Sequence, residues 1–227
     1  MSADVAARLA VVRARIAAAC ARAGRDPASV QLLAASKLQT PDAIRAAYAA
    51  GQREFGENYV QELAQKAQAL ADLPDLRWHL IGRLQTNKVK DVVRLGCAVQ
   101  SLDSLKLCEA LAQRGAAAQT RVRLYVQVNI SEEPQKAGIA PAELPQLIAA
   151  ARAAAALDVR GLMAIPKPSE DEAEQRAAFR RLRELAATLS LPELSMGMSD
   201  DLELAIEEGA TLVRVGTALF GERPTRS

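Results

Sequence analysis

The sequence predicts an α/β chain folded as a single (β/α)8 barrel of the TIM type, with one extra helix at its N-terminus. Three observations carry that expectation. Eight short apolar, β-branched runs alternate with stretches whose apolar residues recur at helical spacing. Most of the runs are continuous rather than alternating, as strands are when both faces of a parallel sheet are covered. At 227 residues, about 50% of them hydrophobic, the chain has the length and apolar content for one such core. The competing architecture is a doubly wound open sheet. It usually carries a glycine-rich phosphate fingerprint after its first strand, where this chain has SKLQT over 36–40.

Val5, Leu9, Val12 and Ile16 share one stripe, so the chain opens with an amphipathic helix that stops near Gly24. The first strand is VQLLAASK, residues 30–37. Thr40 and Pro41 then read as N-cap and first helical position, Ile44, Ala47 and Tyr48 as a buried face, and Gly51 as the stop. REFGE (53–57) leads into a helix with Val60, Leu63, Ala67 and Leu70 in phase, and RWHLIG (77–82) into one over 84–96. AVQSLD (98–103) precedes the helix of Leu107 and Leu111. RLYVQVNI (123–130) is followed by a polar loop and a helix through Leu144, Leu147 and Ile148. VRGLMAI (159–165) precedes a helix packing Phe179, Leu182 and Leu189. ELSMG (193–197) leads to a helix capped at Ser199 and stopped at Gly209, and LVRVGT (212–217) is the eighth strand. The opening helix is expected to cover that last strand.

Composition narrows the function classes. Net charge is +2 and aromatics are 3%, with no block of like charges, so the footprint of a nucleic-acid binder is missing. Cys20, Cys97 and Cys108 are odd in number and lack CxxC spacing, which favours reduced core thiols over a disulfide framework. With His79 the single histidine, a zinc site or a Ser/His/Asp relay has little support. Asp4, Arg8, Arg13 and Arg15 interrupt the opening apolar pattern, against a signal peptide or membrane span, so a soluble cytoplasmic chain with no membrane partner is expected.

In such barrels the chemistry sits at the C-terminal ends of the strands. Lys37 ends the first strand. An amine held there loses its proton more readily than in water and can attack an aldehyde, although from the residue alone a strand-end cation that simply reaches solvent is the commoner reading. With seven lysines against twenty-two arginines, arginine is the usual solvating cation here, and guanidinium cannot form an imine. MGMS (196–199) and VGT (215–217) place glycine and hydroxyl residues after strands seven and eight, where barrels commonly cradle a phosphate. Asp200 and Asp201 oppose that use unless they point away. Arg214, inside an otherwise apolar strand, needs a partner: a structural acid such as Glu57 or Glu207, or a ligand heteroatom. His79 reads as a hydrogen-bonded core residue or an acid-base group, with Trp78 facing the other way. Lys167 is the rival amine and reads as an exposed loop cation, while Lys136, in a loop at the same mouth, is either a solvated charge or a lid group.

These residues lie in five ordered blocks: ASK (35–37), FGENYVQE (55–62), WHLIGRLQTNK (78–88), VNISEEPQKAGI (128–139) and LSMGMSDDLELAIEEGATLVRVGTALFG (194–221). In them the chain, over about residues 5 to 222, closely resembles the pyridoxal phosphate homeostasis protein family, a single barrel similar to the N-terminal domain of alanine racemase. The resemblance implies that Lys37 holds pyridoxal 5'-phosphate (PLP) as a covalent aldimine. It implies that Ser199, Gly216 and Thr217 contact the phosphate, that Asn58, His79 and Met198 line the cofactor, and that Arg214 faces the pyridine nitrogen. A cation beside that nitrogen disfavours its protonation and so weakens the electron sink that carbanion chemistry needs. Racemisation also requires a second base, which alanine racemases are understood to take from a tyrosine of another domain; Tyr48, Tyr59 and Tyr125 are the only candidates here.

The function implied is PLP binding in intracellular vitamin B6 homeostasis, buffering or delivering the cofactor, with no residue assigned a catalytic role. The ligands expected are PLP and related B6 vitamers, with transient contact to apo PLP-dependent enzymes, and the chain is expected to be a monomer. The alternatives are a PLP-dependent amino-acid racemase and a Schiff-base aldolase acting on a sugar phosphate. Residues 1–227 are read as one domain, with 222–227 as a flexible tail. Leu38 and Gln39 depart from the threonine-lysine pair of many members and leave the rim less basic.

Overall fold

The eight apolar runs pair in sequence order into a closed barrel of parallel strands: β1 (Gln31–Ala35), β2 (Glu54–Glu57), β3 (Arg77–Leu80), β4 (Ala98–Leu102), β5 (Val122–Gln127), β6 (Leu157–Met163), β7 (Glu193–Ser195) and β8 (Leu212–Val215). β1 closes on β8 with Leu33 opposite Arg214. The structure, a computed structural model, describes residues 2–133 and 135–221, the side chains of residues 2 and 3 excepted. The expected tail, 222–227, lies outside the described residues. Among the described residues no helix is long and apolar enough to cross a membrane. Nor, among them, is any group of three His, Cys, Asp or Glu residues placed to hold a metal ion.

The helices follow the strands: α2 (Pro41–Ala49), α3 (Val60–Ala69), α4 (Val89–Leu95), α5 (Leu105–Ala117), α6 (Leu144–Ala153), α7 (Glu172–Thr188), α8 (Leu202–Glu207) and α9 (Thr217–Phe220), with α1 (Ser2–Arg22) ahead of them all. Thr40 caps α2 as its sequence predicts, its Oγ1 accepting the Ala43 N–H at 3.3 Å. α9 has only four residues, and α1, packed against α2, α8 and α9, fills the place in the outer ring of a full-length eighth helix. One expectation shifts. The segment over 84–96 divides into a 3-10 turn (Thr86–Lys88) and α4, which ends at Gly96 with φ 63°.

Between strands and helices lies a continuous aliphatic layer, in which Cys20, Cys97 and Cys108 are buried free thiols. Burial pushes the Cys97 thiol up to about 12, so it stays protonated and unreactive. The barrel interior holds a small apolar cluster of Leu33, Tyr125, Met163 and Leu212. The polar side chains Glu54, His79, Gln100, Ser195 and Arg214 are buried as well. Gly161 marks the closest approach in the wall: a Cβ there would stand 1.8 Å from the Glu193 carbonyl oxygen on the neighbouring strand. Backbone cannot yield as a side-chain tip can. Gly161→Ala is therefore expected to lose about 3 kcal/mol, the upper end of overpacking, read as a lowered midpoint in urea; an unchanged midpoint would mean that β6 and β7 part freely.

Candidate functional site

The first strand turns sharply after Ala35, and charge holds the turn in place. Ser36 N–H continues the β1–β2 ladder by donating to the Gly56 carbonyl at 2.9 Å, and Gln39 N–H closes the turn on the Ser36 carbonyl, also at 2.9 Å. Between them Leu38 adopts φ 64°, a left-handed conformation that a branched side chain rarely takes. Its N–H donates to Glu62 Oε1 at 2.7 Å. The ammonium of Lys66 lies beneath, donating to the Ser36 carbonyl (2.7 Å), Glu57 Oε1 (2.9 Å) and Glu62 Oε1 (2.7 Å). Ser36 Oγ donates to the same Glu57 oxygen at 2.5 Å. Glu57 is fully buried and its Oε2 has no hydrogen-bond partner among the described residues; desolvation pushes its carboxyl above the usual range, though Ser36 and Lys66 pull the other way. Lys37 is thus presented by a strained turn tied to two acids through a buried lysine.

The presented amine faces company. A cavity of about 470 Å³ at the C-terminal strand ends is lined by Lys37, Asn58, Met198, Ser199, Arg214, Gly216 and Thr217, seven of the eight residues singled out from the sequence. Its charged lining is Lys37, Arg83 and Arg214 against Asp200 alone, which suits an anionic ligand. Asp201 is turned back, its Oδ1 accepting the Met198 N–H at 2.6 Å. That contact displaces the expected helix cap: α8 begins at Leu202, and Ser199 Oγ instead accepts the Ala218 N–H at 3.4 Å, tying the β7 loop to α9. Arg15 of α1 fastens the same loop, donating to the Ser199 carbonyl (2.9 Å) while paired with Glu203 (2.6 Å). Gly197, at φ 90°, permits the bend that brings Met198 and Ser199 to the cavity.

Arg214 is 4% exposed, and among the described residues no carboxylate lies within ion-pairing distance of it. The acids proposed from the sequence are engaged elsewhere, Glu57 with Lys66 and Glu207 with Arg22 and Arg176. Its guanidinium donates to the Ser195 carbonyl (2.7 Å), Ser195 Oγ (2.8 Å) and the Ala164 carbonyl (3.0 Å). Burial pushes it down to about 10, with Asp201 opposing, so it keeps its charge at neutral pH.

The eighth predicted residue, His79, lies in the barrel interior outside that cavity, 2% exposed. It borders instead a cavity of about 300 Å³ at the opposite strand ends. Lys136 stands 2.9 Å from Glu133 Oε1, an ion pair without hydrogen-bond geometry, and Lys167 bonds Glu174 at 2.7 Å on an exposed loop. The Glu174 contact raises the Lys167 ammonium above its usual range, which makes that amine a poorer nucleophile. None of the three tyrosines lines the cavity with Lys37: Tyr48 bonds Asp75 on the outside, Tyr125 bonds Glu193, and Tyr59 borders a neighbouring cavity. Sequence reasoning missed Glu62, Lys66 and Gln100. Of these only Glu62 and Lys66 left a signal, their i,i+4 spacing.

The residues present fit a phosphorylated aldehyde. An amine, hydroxyls, a close-set glycine and a buried cation share one net-positive cavity; a Cβ at Gly216 would stand 3.2 Å from the Ala35 carbonyl, a tight contact that glycine avoids. Comparison with known proteins points the same way. The sequence profile of the family described as alanine racemase, N-terminal domain, matches residues 8–224. The chain is 51% identical to the pyridoxal phosphate homeostasis protein of Pseudomonas aeruginosa over 96% of each chain. It is 42% identical to that of Escherichia coli over 97% of each. Among solved structures it is similar to PipY of Synechococcus elongatus with PLP bound (TM-score 0.83, 44% identity, 96% of this chain and 100% of that one). An alanine racemase from Streptomyces coelicolor shares the fold (TM-score 0.73, 24% identity), this chain covering 59% of that one.

Proposed function

Because this chain belongs to the pyridoxal phosphate homeostasis protein family, we propose that it binds PLP at the barrel mouth through a Schiff base on Lys37 and holds this reactive aldehyde for vitamin B6 balance, turning over no substrate of its own. The observation that carries the reading is one cavity that joins Lys37 to Ser199, Gly216, Thr217 and Arg214. Bound there, PLP would present its aldehyde to the Lys37 ε-amine, whose condensation with it would release the carbonyl oxygen as water. Ser199, Gly216 and Thr217 would hold the phosphate end, Asn58 and Met198 would flank the ring, and Arg214 would meet the pyridine nitrogen. The Lys66 cluster keeps the Lys37 turn in place, which confines the amine to the mouth.

Holding is favoured over turnover on two grounds. A buried guanidinium opposes the pyridinium form, so the electron sink is weak. The three tyrosines stand away from the cavity lining, so none of them is placed as the second base. The purified protein is expected to be yellow, to lose its visible band on borohydride treatment, and to carry the reduced phosphopyridoxyl mass on Lys37. Label on Lys136 or Lys167 would overturn the assignment. A colourless protein reduced only in the presence of a sugar phosphate would indicate an aldolase instead.

A further inference from the structure

A file of buried side chains crosses the barrel interior from the mouth toward its base. Arg214 Nη1 donates to Ser195 Oγ at 2.8 Å, and the Ser195 hydroxyl donates to Gln100 Oε1 at 2.6 Å. Gln100 Nε2 lies 3.0 Å from His79 Nδ1, and His79 Nε2 lies 2.8 Å from Glu54 Oε2. Arg77 and Gln31 donate to the other oxygen of Glu54. From Arg214 to Glu54 every member of the file is at most 4% exposed.

The protons in this file can be ordered by elimination. A guanidinium only donates, so Ser195 Oγ accepts from Arg214 and sends its one proton to Gln100. That occupies the amide oxygen and turns the amide N–H toward His79, whose Nδ1 must then accept. The ring proton is left on Nε2, facing the Glu54 carboxylate. One arrangement satisfies every group: a neutral His79 with all donors pointing from the cation at the mouth toward the anion at the base. A proton on Nδ1 would set two donors face to face. Turning the Gln100 amide would relieve that clash but would strip the Ser195 hydroxyl of its acceptor, and a buried group left unpaired is strongly disfavoured.

We propose that His79 and Gln100 are positioning residues for the cofactor site: through Ser195 they fix the orientation in which Arg214 is presented to the cavity, without lining it themselves. The inference rests on the reading of the mouth as a PLP site. It gives the lone histidine a role that neither acid-base chemistry nor plain core packing describes. The Arg214 guanidinium has two carbonyl acceptors besides this file, so losing Ser195 as an oriented acceptor leaves it held but free to rock about them.

The test uses the absorption band of the PLP-loaded protein and its rate of PLP loss, with melting measured separately. Gln100→Met and His79→Phe each interrupt the file, and both are expected to shift the band in the same direction and speed PLP loss roughly ten-fold. His79→Gln is expected to restore the parent band, because its amide can accept from Gln100 and donate to Glu54 in the same order. Tyr125→Phe, which removes a part-buried hydrogen bond off the file, is expected to lower the melting temperature and leave the band unmoved. A parent-like band and retention in both Gln100→Met and His79→Phe would overturn the inference. If either fails to fold, Ser195→Ala removes a single oxygen from the same file and decides the matter by the same band. A parent protein with no PLP band at all would instead overturn the PLP reading.

Discussion

Lys66→Met is expected to destabilise the protein by about 3–5 kcal/mol, because it leaves the fully buried Glu57 carboxylate without its counterion. For a chain of this length that corresponds to a fall in melting temperature on the order of 10 °C. The same change removes the donor to the Ser36 carbonyl and one partner of Glu62, the group that holds the Leu38 N–H in its strained conformation. The Lys37 turn should therefore loosen along with the fold, and PLP loading at a fixed concentration should drop. The deficit has a defined pH dependence. Glu57 is a carboxyl whose folded value is already raised above its unfolded one, so its protonated form favours the native state. That contribution is fully present below the unfolded value and is lost as pH rises through the folded one. Without Lys66 the folded value climbs further, so the gap between variant and parent is expected to be widest near neutral pH and to narrow as the medium is acidified toward the ordinary carboxyl range. Glu57→Gln in the Lys66→Met background should recover much of the loss, since a neutral amide needs no counterion. Denaturant midpoints at two pH values check this, and a variant as stable as the parent at pH 7 would mean the cluster contributes nothing.

What was legible in the sequence follows from how each feature is encoded. Strands buried on both faces read as unbroken apolar runs, so VQLLAA or VRGLMAI could be found from local composition alone. Once eight such runs are counted, the fold itself says which ends to inspect, and Lys37, Ser199, Arg214 and Thr217 sit there. Features that depend on partners far along the chain were not legible in this way. Lys66 joins the buried stripe of α3 beside the partly buried Ala67, with Glu57 beneath it, and nothing local distinguishes that pair from a solvated one. The free choice of acid for Arg214 was settled by competition: Glu57 and Glu207 found other cations, and carbonyls took their place. Ser199 reads as a helix cap, yet Asp201 folds back onto Met198 and hands the serine to α9. The interior file joins Ser195 to Gln100 across 95 positions, a separation at which single-sequence periodicity carries no information.

Arg214→Gln is expected to raise the pH at which the bound cofactor's pyridine nitrogen titrates by about 1–3 units, the range for losing one adjacent charge. Burial is the reason. The guanidinium has no carboxylate within ion-pairing distance among the described residues, so its positive field at the cavity is opposed only at longer range, by Asp201 and the lining Asp200. Low local polarity lets that field act strongly on a nitrogen that would gain a positive charge. Glutamine keeps a hydrogen-bond donor but removes the charge, and its shorter side chain is expected to give up at least one of the three contacts to Ser195 and Ala164, with a modest fall in stability. Once the nitrogen can be protonated, the electron sink strengthens, and slow exchange of amino-acid α-protons with deuterated solvent should become measurable in the variant where the parent shows little. The two readouts separate charge from scaffolding. A loss of stability with an unmoved titration would make Arg214 a structural donor to its two neighbours. A titration that moves upward by a unit or more would identify its charge as the feature that keeps this barrel a holder of PLP.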